Sequence, residues 1–125
     1  MLAAEIGMTI RHAERRGYEE YFRHFLERFD AGDFSGMPSI RGMDDRLPEI
    51  AAATVDRLGL LASELIRDVV SWYGNLRGIK IDLLELGAGI VPHDECAPLL
   101  REVLDIWVKD VKATAPSLVE RLRHI

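Results

Sequence analysis

The amino-acid sequence predicts an all-α fold, a small helical bundle built as a single domain over residues 1–125. Four stretches repeat their apolar residues every three or four positions, which is the spacing of one face of an α-helix. No stretch alternates apolar and polar residues, and no Asn-Gly or Asp-Gly pair marks a β-hairpin. Hydrophobic residues make up 48% of the chain and charged residues 30%, so the composition is that of a globular domain with one core.

An N-terminal helix is predicted over about residues 2–29. It carries two apolar stripes, which point in directions more than ~100° apart at ~100° per residue. The first stripe comprises Leu2, Ile6, Ile10 and Ala13, and the second comprises Tyr18, Phe22, Phe25 and Phe29. Gly17 lies between them. Either a straight helix contacts two different partners, or the helix bends at Gly17, because glycine has a poor helix propensity.

A long connection is predicted over about residues 30–46, where helical spacing stops and turn-forming residues accumulate. Its apolar residues, Met37, Ile40 and Met43, are expected to hold it against the bundle. We favour a crossover between helices that are not neighbours, with a functional loop as the alternative. A short helix is then predicted over about residues 48–58.

The two longest helices are predicted over about residues 61–87 and 94–123. Only a few residues join them, so we expect an antiparallel helix hairpin. Pro116 lies inside the second helix and predicts a kink or a brief restart there. Both tryptophans lie on the apolar stripes and are expected to pack in the core, against each other. The predicted core or interface residues are Leu65, Val69, Trp72 and Leu76 on the first helix, and Leu100, Leu104, Trp107 and Val111 on the second.

The apolar stripe on the first of these helices is wider than contact with one partner needs. Ile66, Val70, Tyr73 and Leu84 extend it on one flank, and a wide stripe indicates packing against more than one neighbour. Few residues of the chain are left to cover it. We therefore expect a homo-oligomer, a dimer in which two protomers complete a larger bundle.

Charge and cysteine content exclude several classes of protein. Sixteen basic and twenty-one acidic residues give a net charge of −5, whereas a nucleic-acid-binding domain needs a basic face; no nucleic-acid partner is expected. A single cysteine excludes an intrachain disulfide framework and a Cys-rich zinc module. The one basic cluster, at Arg11, His12, Arg15 and Arg16, is interpreted as a solvated helix face. Contact with an anionic membrane is the alternative, and only if an anchor lies upstream.

Glu20, His24 and Glu27 are the candidate metal ligands. Their spacing of four and three residues places them on one helical face, and carboxylate and imidazole groups both suit zinc or iron. That face points away from the aromatic stripe of the same helix, so we favour a solvated surface. A metal- or small-ligand-binding bundle remains the alternative function.

The predicted start of a helix has four successive residues of metal-coordinating types, His93, Asp94, Glu95 and Cys96. Successive side chains on a helix point ~100° apart, so these four cannot all bind one ion. The helix N-terminus is expected to lower the pKa of the Cys96 thiol, although a small buried side chain is the favoured interpretation. Asp94 is predicted to cap the helix. No phosphate-binding loop, nucleophile elbow or His-Glu-x-x-His motif is present. We predict no enzyme, no catalytic residue and no cofactor.

A resemblance covers about the middle third of the chain. Its residues are Asp56-Arg57-Leu58-Gly59-Leu60-Leu61, Glu64-Leu65, Val69-Val70, Trp72-Tyr73 and Leu76-Arg77-Gly78-Ile79. This pattern resembles bacterial proteins in which one N-terminal membrane-spanning helix precedes a small helical domain. Those proteins often have a proline before the Glu-Leu pair, where this chain has Ser63. The resemblance implies a bacterial, membrane-tethered helical module and no catalytic residues.

No run of the sequence reaches the ~18–20 apolar residues of a spanning helix, and no signal peptide is evident. The chain as given is therefore expected to be soluble, either cytoplasmic or tethered through a segment upstream. The predicted function is a non-enzymatic helical interaction or scaffold domain, the soluble part of a bacterial membrane-anchored protein.

Overall fold

A computed structural model of the chain describes residues 2–39 and 63–124. These residues are mostly helical and include no strand, so the predicted all-α fold is confirmed. The elements are helices α1 (Leu2–Arg16), α2 (Tyr18–Asp30), α3 (Ser63–Gly87), α4 (His93–Ile106) and α5 (Ala115–Arg123), with a π-helical segment (Trp107–Lys112) between the last two. The helix predicted at about 48–58 lies outside the described residues, as do Ile40 and Met43.

The N-terminal helix predicted over 2–29 is two helices, which meet at Gly17. This residue has φ 62° and ψ 36°, a left-handed conformation that glycine adopts without a steric penalty. Its N–H donates to the Glu14 carbonyl at 3.1 Å, and its own carbonyl accepts from the Tyr21 N–H at 3.0 Å. The break turns two divergent stripes toward one core, since Ile6 of α1 and Phe22 of α2 belong to the same buried cluster. The interpretation of a bend is therefore correct.

Helix α3 and the chain that follows it form an antiparallel hairpin. Asp68, near the start of α3, contacts Arg121, near the end of α5, with 2.6 Å between Oδ2 and Nη1. One turn further along α3, Trp72 contacts Val111 of the π-helical segment. Residues later in α3 thus meet residues earlier in the second arm, which is the order that an antiparallel pair requires.

The second arm is not the continuous helix predicted over 94–123. Helix α4 passes into the π-helical segment, in which the Ala113 N–H donates to the Val108 carbonyl, five residues back, at 3.1 Å. Helix α5 then restarts with Pro116 in its first turn, where a missing N–H costs nothing. The restart that Pro116 predicted is observed, and the π-helical turn is the additional feature.

One core includes side chains from all the helices of residues 2–39 and 63–124. Its largest fully buried side chain is Trp72, which is 2% exposed. Of the eight residues predicted as core or interface, seven are buried and Trp107 is half-buried. The ring pairs of the described residues do not include one between the two tryptophans; the indole N–H of Trp72 points to the backbone of Val111, one turn beyond Trp107. Its ring partner is instead Tyr73, with the ring centroids 5.0 Å apart.

The chain after α2 forms an ordered turn through Asp33. The carboxylate accepts hydrogen bonds from the Ser35 hydroxyl at 2.6 Å, the Ser35 N–H at 3.0 Å and Arg28 Nε at 3.1 Å. These three bonds, those from Ser35 first, lower the pKa of Asp33 to about 2 because they favour the ionised carboxylate. Arg28 also donates to the Ser35 hydroxyl at 2.9 Å, which closes the turn.

This connection then reaches the end of α3. Pro38 is buried, Met37 is half-buried, and the Ser39 N–H donates to the Tyr21 hydroxyl at 3.0 Å. A Cβ built on Gly87 would lie 2.8 Å from the Pro38 carbonyl oxygen, closer than real Cβ atoms come to backbone. Only glycine therefore fits the end of α3 in this arrangement.

Candidate interaction face

Helix α3 exposes a set of large apolar side chains on the side away from the core. Val70 is 50% exposed, Ile81 44% and Leu84 52%. They belong to what we define as the α3 outer face, the exposed residues along one side of this helix: Arg67, Val70, Ser71, Gly74, Arg77, Gly78, Ile81, Leu84 and Glu85. Groups of exposed apolar side chains on one face are typical of interaction surfaces.

The geometry of the helix explains why these residues stay outside. The buried stripe of α3, from Leu65 to Leu86, points in one direction, and at ~100° per residue Ile81 points roughly opposite to it. Of the four residues predicted to widen the stripe, Ile66 and Tyr73 are half-buried against the core. Val70 and Leu84 are exposed. The sequence alone does not single out Ile81, because it stands between the charged residues Lys80 and Asp82.

Two glycines form the middle of the α3 outer face. A Cβ placed on Gly74 or on Gly78 would find nothing within 4 Å. Each glycine in a helix interior costs roughly 0.5–1 kcal/mol relative to alanine. Neither position needs a left-handed backbone. The α3 outer face therefore has no side chain at these two central positions, and another backbone could approach closely there.

Opposite charges stand at the two ends of this face. Arg67 lies toward the start of α3 and Glu85 toward its end, and neither forms an ion pair within the described residues. Next to Glu85, partial burial and the charge of Glu85 raise the pKa of Asp82. The end of α3 is thus locally acidic, while Arg67 leaves an unneutralised positive charge at the other end.

Tyr73 marks the border between the α3 outer face and helix α1. Its hydroxyl donates to Glu5 Oε2 at 3.1 Å, which ties α1 to α3 across 68 residues of sequence. Burial, together with the charge of Glu5, raises the pKa of Tyr73. This hydrogen bond places Glu5 of α1 beside the flank of α3 that carries Tyr73, whereas Val70 and Ile81 are exposed.

The predicted metal-ligand candidates lie on the exposed side of α2. Glu20, His24 and Glu27 are all exposed, and the opposite side of the helix buries Phe22, Phe25 and Phe29. Within residues 2–39 and 63–124 there is no group of three or more His, Cys, Asp or Glu side chains placed to hold a metal ion.

The start of α4 does not bring His93 and Cys96 together for chemistry. The His93 ring stacks on Phe34, with 4.3 Å between centroids. Cys96 is buried, and its Sγ lies 3.5 Å from the Pro92 carbonyl oxygen. The expected lowering of the Cys96 pKa is wrong: burial, and then the charges of Asp94 and Glu95, raise it.

Asp94 is not the predicted cap either. Helix α4 begins one residue earlier, at His93, and Pro92 precedes it without a side-chain cap. Asp94 lies in the first turn, where a negative charge is still favourable near the positive end of the helix.

Comparison with protein-family models, with curated proteins and with solved structures finds no match to this chain. None of the helices within the described residues combines the length and apolarity that crossing a bilayer requires. The described residues form a small all-α domain, and one side of its helix α3 exposes large apolar side chains.

Proposed function

We propose that this protein is a non-enzymatic helical interaction domain that assembles as a homodimer and serves as a scaffold. The observation that carries the proposal is the exposure of Val70, Ile81 and Leu84 along one side of α3. Each square ångström of apolar surface removed from water contributes ~25 cal/mol, so covering these side chains favours association. A second copy is the occupant, because every copy of the chain presents the same face.

Sedimentation equilibrium of the purified chain tests this function. We expect a mass twice that of the 14.1 kDa chain at high protein concentration, shifting toward one chain mass on dilution. The variant Ile81→Asp, which places a charge on the α3 outer face, should weaken the dimer. Glu102→Asp, on the exposed side of α4, is the control and should leave it unchanged. A single chain mass at all concentrations contradicts the proposal.

The resemblance described above supports a more specific role. Residues 56–79 resemble bacterial proteins with an N-terminal spanning helix, so we infer that the domain is the soluble part of a membrane-anchored bacterial protein. The coding sequence immediately upstream of Leu2 tests this inference. An in-frame segment of about 20 apolar residues supports the anchor, and a stop codon or a polar segment there contradicts it.

A further inference from the structure

Six residues of the α3 outer face form a line along the helix, which we call the seam. The intervals between these residues are the same whether they are counted from the start or from the end of the helix. Successive seam positions are four, three, four, three and four residues apart, which is the repeat that keeps one helix edge against a partner helix. The pattern is symmetric about the level of Leu76. The seam comprises Arg67, Ser71, Gly74, Gly78, Ile81 and Glu85.

Charge distinguishes the two ways in which a second copy of α3 could lie along this seam. In an antiparallel pair centred at Leu76, Arg67 of each protomer meets Glu85 of its partner, about 14 Å from the centre on either side at ~1.5 Å per residue. A parallel pair in register would instead place like charges opposite each other. Opposite charges attract and like charges repel by similar amounts at such positions, so the seam favours the antiparallel pair.

The middle of the seam fits the same arrangement. Gly74 of one protomer would lie opposite Gly78 of its partner, where neither backbone carries a Cβ and the space beyond each is open. Ser71 would lie opposite Ile81, a small side chain facing a large one. Val70 and Leu84 would cover the side of the seam, which removes exposed apolar surface from water.

We propose that the protein forms an antiparallel homodimer through the α3 outer face, with Arg67 of each protomer paired with Glu85 of the other. This inference rests on the proposed function, since it specifies the surface and direction of the homodimer. It gives the dimer two equivalent ion pairs and makes the exposed glycines the point of closest approach between two backbones.

Charge exchange tests the pairing in the full chain, with sedimentation equilibrium as the measurement. Arg67→Glu and Glu85→Arg should each weaken the dimer by about tenfold or more, because both symmetric contacts become repulsive. The double variant should restore it. An equimolar mixture of the two single variants should also pair, since one carries glutamate at both positions and the other arginine. Lys109→Glu is the control for Arg67→Glu, since it makes the same change of charge at a position that is 70% exposed in the π-helical segment.

The outcomes separate this inference from the proposed function. If the wild-type chain remains monomeric, both the proposed homodimer and the antiparallel pairing are contradicted. A wild-type dimer that is insensitive to the single substitutions, or one that neither the double variant nor the mixture restores, leaves the homodimer in place and overturns the antiparallel seam. Circular dichroism of each variant verifies that the helical content is unchanged, so a weaker dimer reports on association.

Discussion

The indole Nε1 of Trp72 donates a hydrogen bond to the carbonyl of Val111 at 2.9 Å, and both residues are buried. The acceptor lies in the π-helical segment, where carbonyls accept from the residue five positions on. For Val111 that residue is Pro116, which has no N–H to give. Trp72 therefore provides a donor at the point where the second arm of the hairpin is interrupted.

Replacing Trp72 by phenylalanine should lower the free energy of unfolding by about 1–3 kcal/mol. The buried Val111 carbonyl loses this donor and keeps the longer hydrogen bond of 3.4 Å from the Thr114 hydroxyl. Urea unfolding followed by circular dichroism measures the loss. Trp107→Phe is the matched control on a half-buried indole and should cost less. If both variants lose the same free energy of unfolding, the hydrogen bond to Val111 does not add to the stability of the fold.

Gly17→Ala should destabilise the fold by about 1–2 kcal/mol, since a residue with a Cβ is strained in the left-handed conformation that joins α1 to α2. Gly7→Ala, inside α1, is the control. A Cβ there makes ordinary contact with the flexible Arg11 side chain, so the substitution should stabilise the helix by up to about 1 kcal/mol. Thermal unfolding of both variants gives the comparison, and two changes of the same sign contradict the break at Gly17.

Stability should fall at alkaline pH because of Tyr73. Its pKa lies above the ordinary value of 10.0, so the folded protein holds the phenolic proton more tightly than the unfolded chain does. The stabilisation is complete below pH 10 and is lost as the pH rises toward the higher folded-state pKa. Urea unfolding between pH 7 and 11 should show this decline, with a smaller one in Tyr73→Phe. A decline of equal size in that variant would assign it to other groups.

The carboxyl group of Asp33 should have a pKa well below that of an ordinary aspartate. The hydrogen bonds from Ser35 and Arg28 bring its pKa to about 2 from 3.8. Their contribution to stability is therefore present above pH 3.8 and is lost as the pH falls through about 2. The Ser35 amide resonance, followed by NMR, should shift with that low midpoint. Asp33→Asn should abolish the shift, and a midpoint near 3.8 would contradict the turn.

The purified protein should carry no stoichiometric transition metal. Glu20, His24 and Glu27 are exposed on α2, where water competes for every ligand, and no other helix of the described part of the chain joins them to form a metal site. Elemental analysis by plasma mass spectrometry measures this. A stoichiometric metal that disappears in His24→Ala would instead support the alternative of a metal-binding bundle.

The sequence predicts the hairpin and the all-α fold because both depend on local spacing, which the apolar residues of α3 and α4 record directly. It also locates Gly17, although it leaves open whether the helix bends there. The π-helical turn is different. Its Val111 carbonyl accepts from the indole of Trp72, 39 residues away in sequence, and no local pattern contains that contact.

The candidate site could be predicted only in part. Spacing places Val70 and Leu84 on the flank of a wide apolar stripe, but whether a flank is covered depends on where the other helices lie. Cys96 is a related case. Proximity to a helix N-terminus predicts a lowered pKa, but burial, which spacing alone does not reveal, raises the pKa together with the charges of Asp94 and Glu95.

The close approach of the Pro38 carbonyl to Gly87 has a consequence for how variable this chain can be. Since two backbones meet there, exchange of neighbouring side chains leaves the junction intact, whereas any residue larger than glycine at position 87 pushes it apart. In a library with every amino acid at each position of α3, selection for folded protein should thus tolerate diversity at Gly74 and Gly78 and almost none at Gly87. The last residue of the helix would be the least replaceable of the three.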